Sequence, residues 1–351
     1  MTGKESVHTM KAVRIHEHGG FEVLKYENAP EPQIEANEVL VEVKACALNH
    51  LDLWLRAGVP AWKLPFPHIL GSDISGVAAQ VGPLVKQVKQ GDRVLLCPGI
   101  SCGHCAECFK GLDSACRGYT LFGILVDGGY AEYVRAPQVN VLPIPGDLSF
   151  DEAAAVPLVF LTAWHMLVTR AGIRPGEDVL VIGAGSGVGS AAIQVAKLFG
   201  ARVIAVAGGD EKLEKARALG ADEVINHTRQ SIVGEVRRIT GKRGVDIVLD
   251  HVGAAVWEDC FQSLATYGRF VTCGVTAGAE VKLDLQALFG RQRTLYGSFM
   301  GGKGELVEAL KFIGQRKLKA VIDSAFPLKE AAAAQRKMES RNFFGKILLH
   351  P

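Results

Sequence analysis

Residues Val179–Ala205, VLVIGAGSGVGSAAIQVAKLFGARVIA, constrain this chain more than any other stretch. An apolar run, Val179–Ile182, stops at Gly183-Ala184-Gly185-Ser186-Gly187-Val188-Gly189. Good helix formers follow, Ala191–Phe199, up to Gly200, and a second β-branched run begins at Val203. Strand, glycine-rich turn, helix and strand make the first half of a dinucleotide-binding βαβ unit. Glycines let the backbone turn tightly and approach a pyrophosphate, while the helix N-terminus offers free N–H groups and the positive end of its dipole. Glycine-rich turns also occur without a ligand. The setting between a buried strand and a helix favours a nucleotide site, with Ala184, Gly185, Ser186, Gly187, Val188 and Gly189 as its binding residues. A strict G-x-G-x-x-G is absent: ending the motif at Gly189 puts Ala184 and Ser186 at the first two glycine positions.

The rest of the chain divides around this unit. Up to about Pro157 it reads as short strands and turns: Met10–Ile15, Glu38–Ala45 with alternating polarity, Ile74–Val81, Arg93–Cys97 and Tyr130–Val134, with a helix over Asn49–Gly58. From Ala163 strands alternate with helices, the texture of a doubly wound parallel sheet. The helices are expected at Glu211–Leu219, Ile232–Thr240, Val256–Leu264 and Gly304–Gln315. The strands are Arg202–Val206, Glu223–Ile225, Asp246–Leu249, Arg269–Cys273 and Leu295–Ser298. The last stretch, with Ile347–Leu349, reads as a return to the first domain. The chain of 351 residues fits two domains. They are assigned to 10–160 with 315–351, and to 161–314.

Composition excludes several roles. Lys+Arg is 39 against Asp+Glu 37, a net charge of +2 with no basic block, which argues against nucleic-acid and membrane-surface partners. No apolar run is long enough for a membrane span, and the start has no hydrophobic signal core. The first nine residues read as a polar extension. A cytoplasmic protein with a small-molecule substrate is expected.

Eight cysteines are present, and four fall in C-x2-C-x2-C-x7-C: Cys102, Cys105, Cys108 and Cys116. Crowding of this kind in a long cytosolic chain reads as metal before disulfide. Four sulfurs closing a tetrahedron leave no position for water or substrate, so the site is structural, and zinc is the metal expected. An iron–sulfur cluster uses similar spacing, but the remaining context of a ferredoxin is missing. His104 lies inside the cluster and is not needed as a ligand.

Taken together, these residues resemble the medium-chain dehydrogenase/reductase superfamily along essentially all of Met10–Pro351. The matches are Gly71-Ser72-Asp73 in place of a Gly-His-Glu turn, the four-cysteine lobe with Gly103 and Gly111, and Gly129-Tyr130-Ala131-Glu132-Tyr133. They continue with Leu161-Thr162-Ala163-Trp164, the turn Gly183–Gly189 and Gly345-Lys346. The resemblance implies an α/β fold: a GroES-like β domain plus a Rossmann doubly wound parallel sheet, with the active cleft between them. Zinc alcohol dehydrogenases of this superfamily hold a second, catalytic zinc. Its ligand positions match Asn49, Ser72 and the Val159/Phe160 region here, none of which supplies thiolate or imidazole. Cys46 and His68 lie nearby in sequence and are the residues that could rescue such a site. Asn49-His50-Leu51-Asp52 is similar to the Asn-x-x-Asp of the metal-free quinone oxidoreductase and enoyl reductase branches.

The reading that results is hydride transfer to a quinone, enone, enal or related activated carbonyl compound without catalytic zinc. Asn49, Asp52 and Ser72 are the candidate catalytic residues, with Asn49 as polarising donor and Asp73 nearby. Asn49 also suits a helix N-cap, and Asp52 and Asp73 also suit hydrogen-bonded structural roles. The alternatives are a zinc-containing alcohol dehydrogenase and a nucleotide-binding protein without turnover. An NAD-selective site carries an acid at the end of the second strand; here Ala207-Gly208-Gly209 stands there, and Lys212 follows. NADP(H) is therefore expected over NAD(H), with Gly208, Gly209 and Lys212 at the ribose. By resemblance Thr162, Gly274, Val275, Ser298 and Lys346 also line the cofactor groove. The loops Pro60–Pro67 and Phe289–Arg293 shape the substrate pocket. The open edge at Leu295–Ser298 suits a homodimer or homotetramer.

Overall fold

The computed structural model describes residues 8–59 and 62–351. Most of the polar extension, residues 1–7, and the start of the Pro60–Pro67 loop, Pro60 and Ala61, lie outside the described residues. The chain forms two compact units. One comprises Met1–Leu158, Gly302–Gly304 and Ile322–Pro351; the other comprises Val159–Gly301 and Glu305–Val321.

The second unit is built on a six-stranded parallel sheet. Its spatial order is Glu223–Asn226, Arg202–Ala207, Asp178–Ile182, Val245–Asp250, Leu264–Thr272 and Thr294–Gly297. Strand order reverses between Asp178–Ile182 and Val245–Asp250, and that switch point opens a crevice at the strands' C-terminal ends. Every residue of Asp178–Ile182 is buried, as a strand covered on both faces requires. Trp257 stacks on Phe261 and meets Phe270 edge-on, with centroids 5.2 and 5.1 Å apart. Burying one such aromatic stabilises the fold by about 2–3 kcal/mol.

In the first unit a seven-stranded sheet runs in the order Val141–Pro143, Arg93–Leu96, Asp73–Val81, Glu38–Ala47, Lys346–His350, Ile322–Pro327, with Tyr133–Pro137 paired to Glu38–Ala47. The C-terminal strand returns beside Glu38–Ala47, with Leu349 opposite Cys46. A three-stranded sheet joins Lys25–Pro30, Thr9–Ile15 and His68–Ile69.

Several local readings shift. The helix expected from Ala191 begins at Gly187, because the Ser186 hydroxyl caps it by accepting from Gly189 N–H. The strand expected at Tyr130–Val134 lies at Tyr133–Pro137, since Val13 N–H takes the Tyr130 carbonyl and Ala131 bridges Ala12. Glu38–Ala47 keeps the expected alternation at Glu38, Glu42 and Lys44, which are half-buried among buried Val39, Val41, Val43 and Ala45, and is buried throughout at its end, Ala45–Ala47, beside the C-terminal strand. Lys25–Pro30 is a strand although it ends in proline; it lies at an edge, where a missing N–H costs nothing. The helix Ala331–Glu339, unread in the sequence, packs on the returning strands.

Candidate functional site

The glycine turn leaves the C-terminal end of Asp178–Ile182. Gly183 has φ +65°, and a Cβ on Gly189 would lie 2.3 Å from the Gly183 carbonyl oxygen, so only glycine lets helix and turn approach this closely. Ser186 is the N-cap, and its Oγ lies 2.9 Å from His251 Nε2. His251 follows Val245–Asp250 across the switch point. Burial holds its imidazole below the ordinary histidine range, in the neutral form that hydrogen-bonds Ser186. Sequence reading missed His251; its position just past the end of a buried parallel strand was the available signal.

The other expected cofactor residues gather at the same sheet edge. Gly208 and Gly209 follow Arg202–Ala207, and Gly209 caps the helix Asp210–Ala218, which carries half-buried Lys212. A Cβ on Gly208 would come 3.1 Å from His227 Nε2, so this imidazole flanks the strand end, another residue unread in the sequence. Asp210 accepts from Asn226 Nδ2 at 2.6 Å and from Arg229 at 2.8 Å. Gly274 and Val275 follow Leu264–Thr272. Ser298 follows Thr294–Gly297, and its Oγ is buried without a partner. Thr162 is buried on the helix Pro157–Trp164 of the same unit.

Lys346 belongs to the first unit, where it is 3% exposed. Its ammonium donates to Asn49 Oδ1 at 2.6 Å and to Asp73 Oδ2 at 2.8 Å. Asn49 Nδ2 donates to the same Asp73 oxygen at 3.0 Å, and Asp73 Oδ1 accepts from Leu158 N–H at 2.8 Å. Asn49 is the N-cap of His50–Ala57, and its backbone N–H donates to Asp52 Oδ2 at 2.9 Å. The Tyr130 hydroxyl donates to that oxygen at 3.0 Å, while Asp52 Oδ1 has no partner. Burial pushes the Asp52 carboxyl up to about 6. Amide, ammonium, phenol and two carboxylates thus form one buried polar cluster.

Ser72 stands apart from it: its hydroxyl donates to the Phe122 carbonyl at 2.7 Å. Cys46 is fully buried, with burial raising its thiol, and a Cβ at Gly71 or Gly129 would touch its sulfur at 2.8 Å. His68 faces Asp127 at 3.4 Å on a short strand paired to Thr9–Ile15. Among the described residues neither joins a metal-ligating group.

Among the described residues the one group of donors able to hold a metal is Cys102, Cys105, Cys108 and Cys116, with ligand atoms all within 4.8 Å of one another. Cys105 Sγ lies 3.5 Å and Cys102 Sγ 3.8 Å from Cys108 Sγ. Tetrahedral zinc with bonds of about 2.3 Å separates its sulfurs by roughly 3.8 Å, so the donors fit. Cys102 N–H also points at Cys116 Sγ, 3.5 Å away, as a donor that steadies a thiolate. Next to the lobe, Lys303 Nζ binds Ser101 Oγ and Asp113 Oδ1, each at 2.7 Å.

A GroES-like unit with a four-cysteine lobe and a dinucleotide-type sheet together define a two-domain dehydrogenase. Residues 35–146 match the alcohol dehydrogenase GroES-like domain, and 187–315 match the zinc-binding dehydrogenase family. The chain belongs to the medium-chain dehydrogenase/reductase superfamily and is an oxidoreductase. It is 35% identical to an alcohol dehydrogenase of Geobacillus stearothermophilus over 93% of this chain and 96% of that one. It is 30% identical to a quinone oxidoreductase of Rattus norvegicus over 97% of each. A crystal structure of an NAD-dependent alcohol dehydrogenase superposes with a TM-score of 0.95 at 49% identity, covering 97% of this chain and 100% of that one.

Proposed function

We propose that the protein transfers hydride between NADP(H) and a quinone, enone, enal or related activated carbonyl compound, with no catalytic zinc and one structural zinc in the cysteine lobe. The observation that carries this reading is the cluster around Asn49. Positions that supply thiolate and imidazole to a catalytic zinc in the alcohol dehydrogenases the chain resembles hold Asn49, tied to Lys346 and Asp73, and Ser72, tied to Phe122. These donors suit hydrogen bonding and not zinc.

Asn49 supports the chemistry in a definite way. One Nδ2 proton goes to Asp73, and the other makes only a 3.5 Å contact with the Ala47 carbonyl. An amide N–H of this kind can donate to a substrate oxygen as charge develops there. Lys346 on Oδ1 polarises the amide and strengthens that donor. The bound dinucleotide would supply the hydride; Gly183–Gly189 and the Ser186 cap would hold its pyrophosphate, and Thr162, Gly274, Val275 and Ser298 its remaining surface. Gly208 and Gly209 leave room at the strand end, and Lys212, His227 and Arg229 are basic groups near it, which favours a 2′-phosphate. The exposed side chains of Tyr267, Leu285 and Phe289, with the edge strand Thr294–Gly297, support a homodimer or homotetramer. Among the described residues no helix is long and apolar enough to cross a membrane, which accords with a cytoplasmic setting.

A second reading is alcohol oxidation, favoured by the names of the alcohol dehydrogenase relatives. Purified protein is tested for NADPH and NADH oxidation with quinones, enals and aldehydes, for NAD(P)+ reduction with alcohols, and for zinc per chain. One zinc with NADPH-linked quinone or enone turnover supports the proposal. Two zincs with alcohol oxidation overturn it, and dinucleotide binding without turnover makes the protein a binding protein.

A further inference from the structure

The parallel sheet of the second unit has a second charged edge, opposite the glycine turn. Three neighbouring strands begin there, directly after Gly244, Ser263 and Arg293. Two adjoining cavities of about 480 and 540 Å³ lie at this edge and share Arg237, Gln262 and Arg291 in their walls. Each is the size of a small-ligand pocket.

The charge in this groove is predominantly positive. Lys282 and Arg293 line the first cavity and Lys242 the second, beside the shared Arg237 and Arg291. Among the described residues none of these five has an ion-pair partner, whereas Arg243, also in the wall, is held by Asp178 and Asp246. Two acids line the first cavity, and both accept hydrogen bonds from the protein. Asp284 caps the helix Leu285–Gly290, and Glu258 accepts from Gln262.

Arg293 is the second, independent observation. It is only 8% exposed, donates through Nη2 to the Leu264 carbonyl and lies over the Phe261 ring. Its Nε is buried with no partner. Burial and the neighbouring Arg291 hold its guanidinium below the ordinary arginine range. A buried cation beside a like charge, with a donor unused, is destabilising by itself and is relieved by an anion. Guanidinium forks match phosphate oxygens in pairs, and two cavities bridged by two arginines suit an anion whose charge is spread along a chain.

We propose that this groove binds a small polyphosphate anion, either free or as the tail of a nucleotide, at a site separate from the glycine turn. Phosphate groups would bridge Arg237 and Arg291, with the buried Arg293 guanidinium adding positive charge from beneath. The position on the opposite sheet edge leaves the dinucleotide site open while the groove is filled.

The test is calorimetric titration of inorganic tripolyphosphate, and in parallel ATP, into the full chain with its nicotinamide dinucleotide saturating, so that the glycine turn is occupied. One saturable site per chain is expected, weakening as salt rises. The loop Phe289–Arg293, expected to shape the substrate pocket, instead leads into the start of Thr294–Gly297 at this edge. The double variant Arg237→Gln/Arg291→Gln should therefore lose at least tenfold in affinity with turnover unchanged. A charge-matched control, Lys311→Gln/Lys329→Gln, should bind like the parent. Tighter binding of ATP assigns the groove to nucleotide tails, and equal binding assigns it to the phosphate chain alone; both support the site. No saturable binding to the parent, or equal losses in the two double variants, overturns it.

Discussion

Two polar corners of the first unit are built from opposite chemistry. At Cys102–Cys116 the chain converges four sulfurs within 4.8 Å. Around Asn49 it converges protons: an ammonium, an amide and a phenol on two buried carboxylates. The Lys346 ammonium balances the buried charge of Asp73. One corner thus offers soft donors that suit a metal, and the other offers hydrogen-bond donors where chemistry is proposed. A soft tetrahedral donor set fits a closed zinc site, whereas a rigid N–H can stabilise a developing oxyanion without one.

The largest effect expected is at the lobe. Cys108→Ser should take zinc from one per chain to none, as read by metal analysis. With it goes a binding free energy on the order of 10 kcal/mol that would otherwise hold the lobe folded, so protease should cut within 102–116. Retention of metal, or an intact lobe without it, would break the contrast between the two corners.

Next comes the salt bridge beneath Asn49. Lys346→Met leaves Asp73 a buried, unpaired carboxylate and should cost about 3–5 kcal/mol in urea unfolding. Adding Asp73→Asn should recover most of that loss. A single variant as stable as the parent would mean that the pair carries no charge in the folded protein.

Asn49→Ala sharpens the comparison on the side of chemistry. Loss of one polarising donor should lower kcat about 100-fold, roughly 2.7 kcal/mol, with zinc content and dinucleotide affinity unchanged. A drop in stability alone would reduce Asn49 to a helix cap.

The smallest effect is a pH dependence. Asp52 titrates near 6 when folded and near 3.8 as its ordinary value, so the native state holds the proton more tightly. Its contribution is therefore most favourable at low pH and is withdrawn as pH rises from about 4 to about 6. Compared by urea unfolding at pH 4 and pH 7, Asp52→Asn should gain on the parent by on the order of 1–3 kcal/mol as pH rises. A difference that stays constant would mean that Asp52 ionises normally.

How much of this was legible depends on how local each cause is. The apolar run, the glycines and the helix formers of Val179–Ala205 act within a few residues of one another, so strand, turn and helix could be read directly. Even there the helix start was misplaced by four residues, because glycine and serine are poor helix formers and only the Ser186 cap reveals them as the first turn. The cysteine lobe could also be read, since fifteen residues hold all its donors. Lys346 was assigned by resemblance to the cofactor groove, and nothing local to it announced a partner 297 positions away at Asn49. His251, His227 and the groove at Arg291 are likewise made by strands and turns far apart in the chain.

The sequence by itself determined the order of elements, the nucleotide turn and the sulfur cage, because periodicity, glycine conformation and ligand spacing are short-range physics. The tertiary structure alone decided what Asn49 does. Sheet pairing lays Lys346–His350 beside Glu38–Ala47, and the resulting burial forces Asn49, Lys346 and Asp73 to satisfy one another. It also put one uncompensated arginine, Arg293, on the far edge of the sheet, where burial makes a missing partner costly.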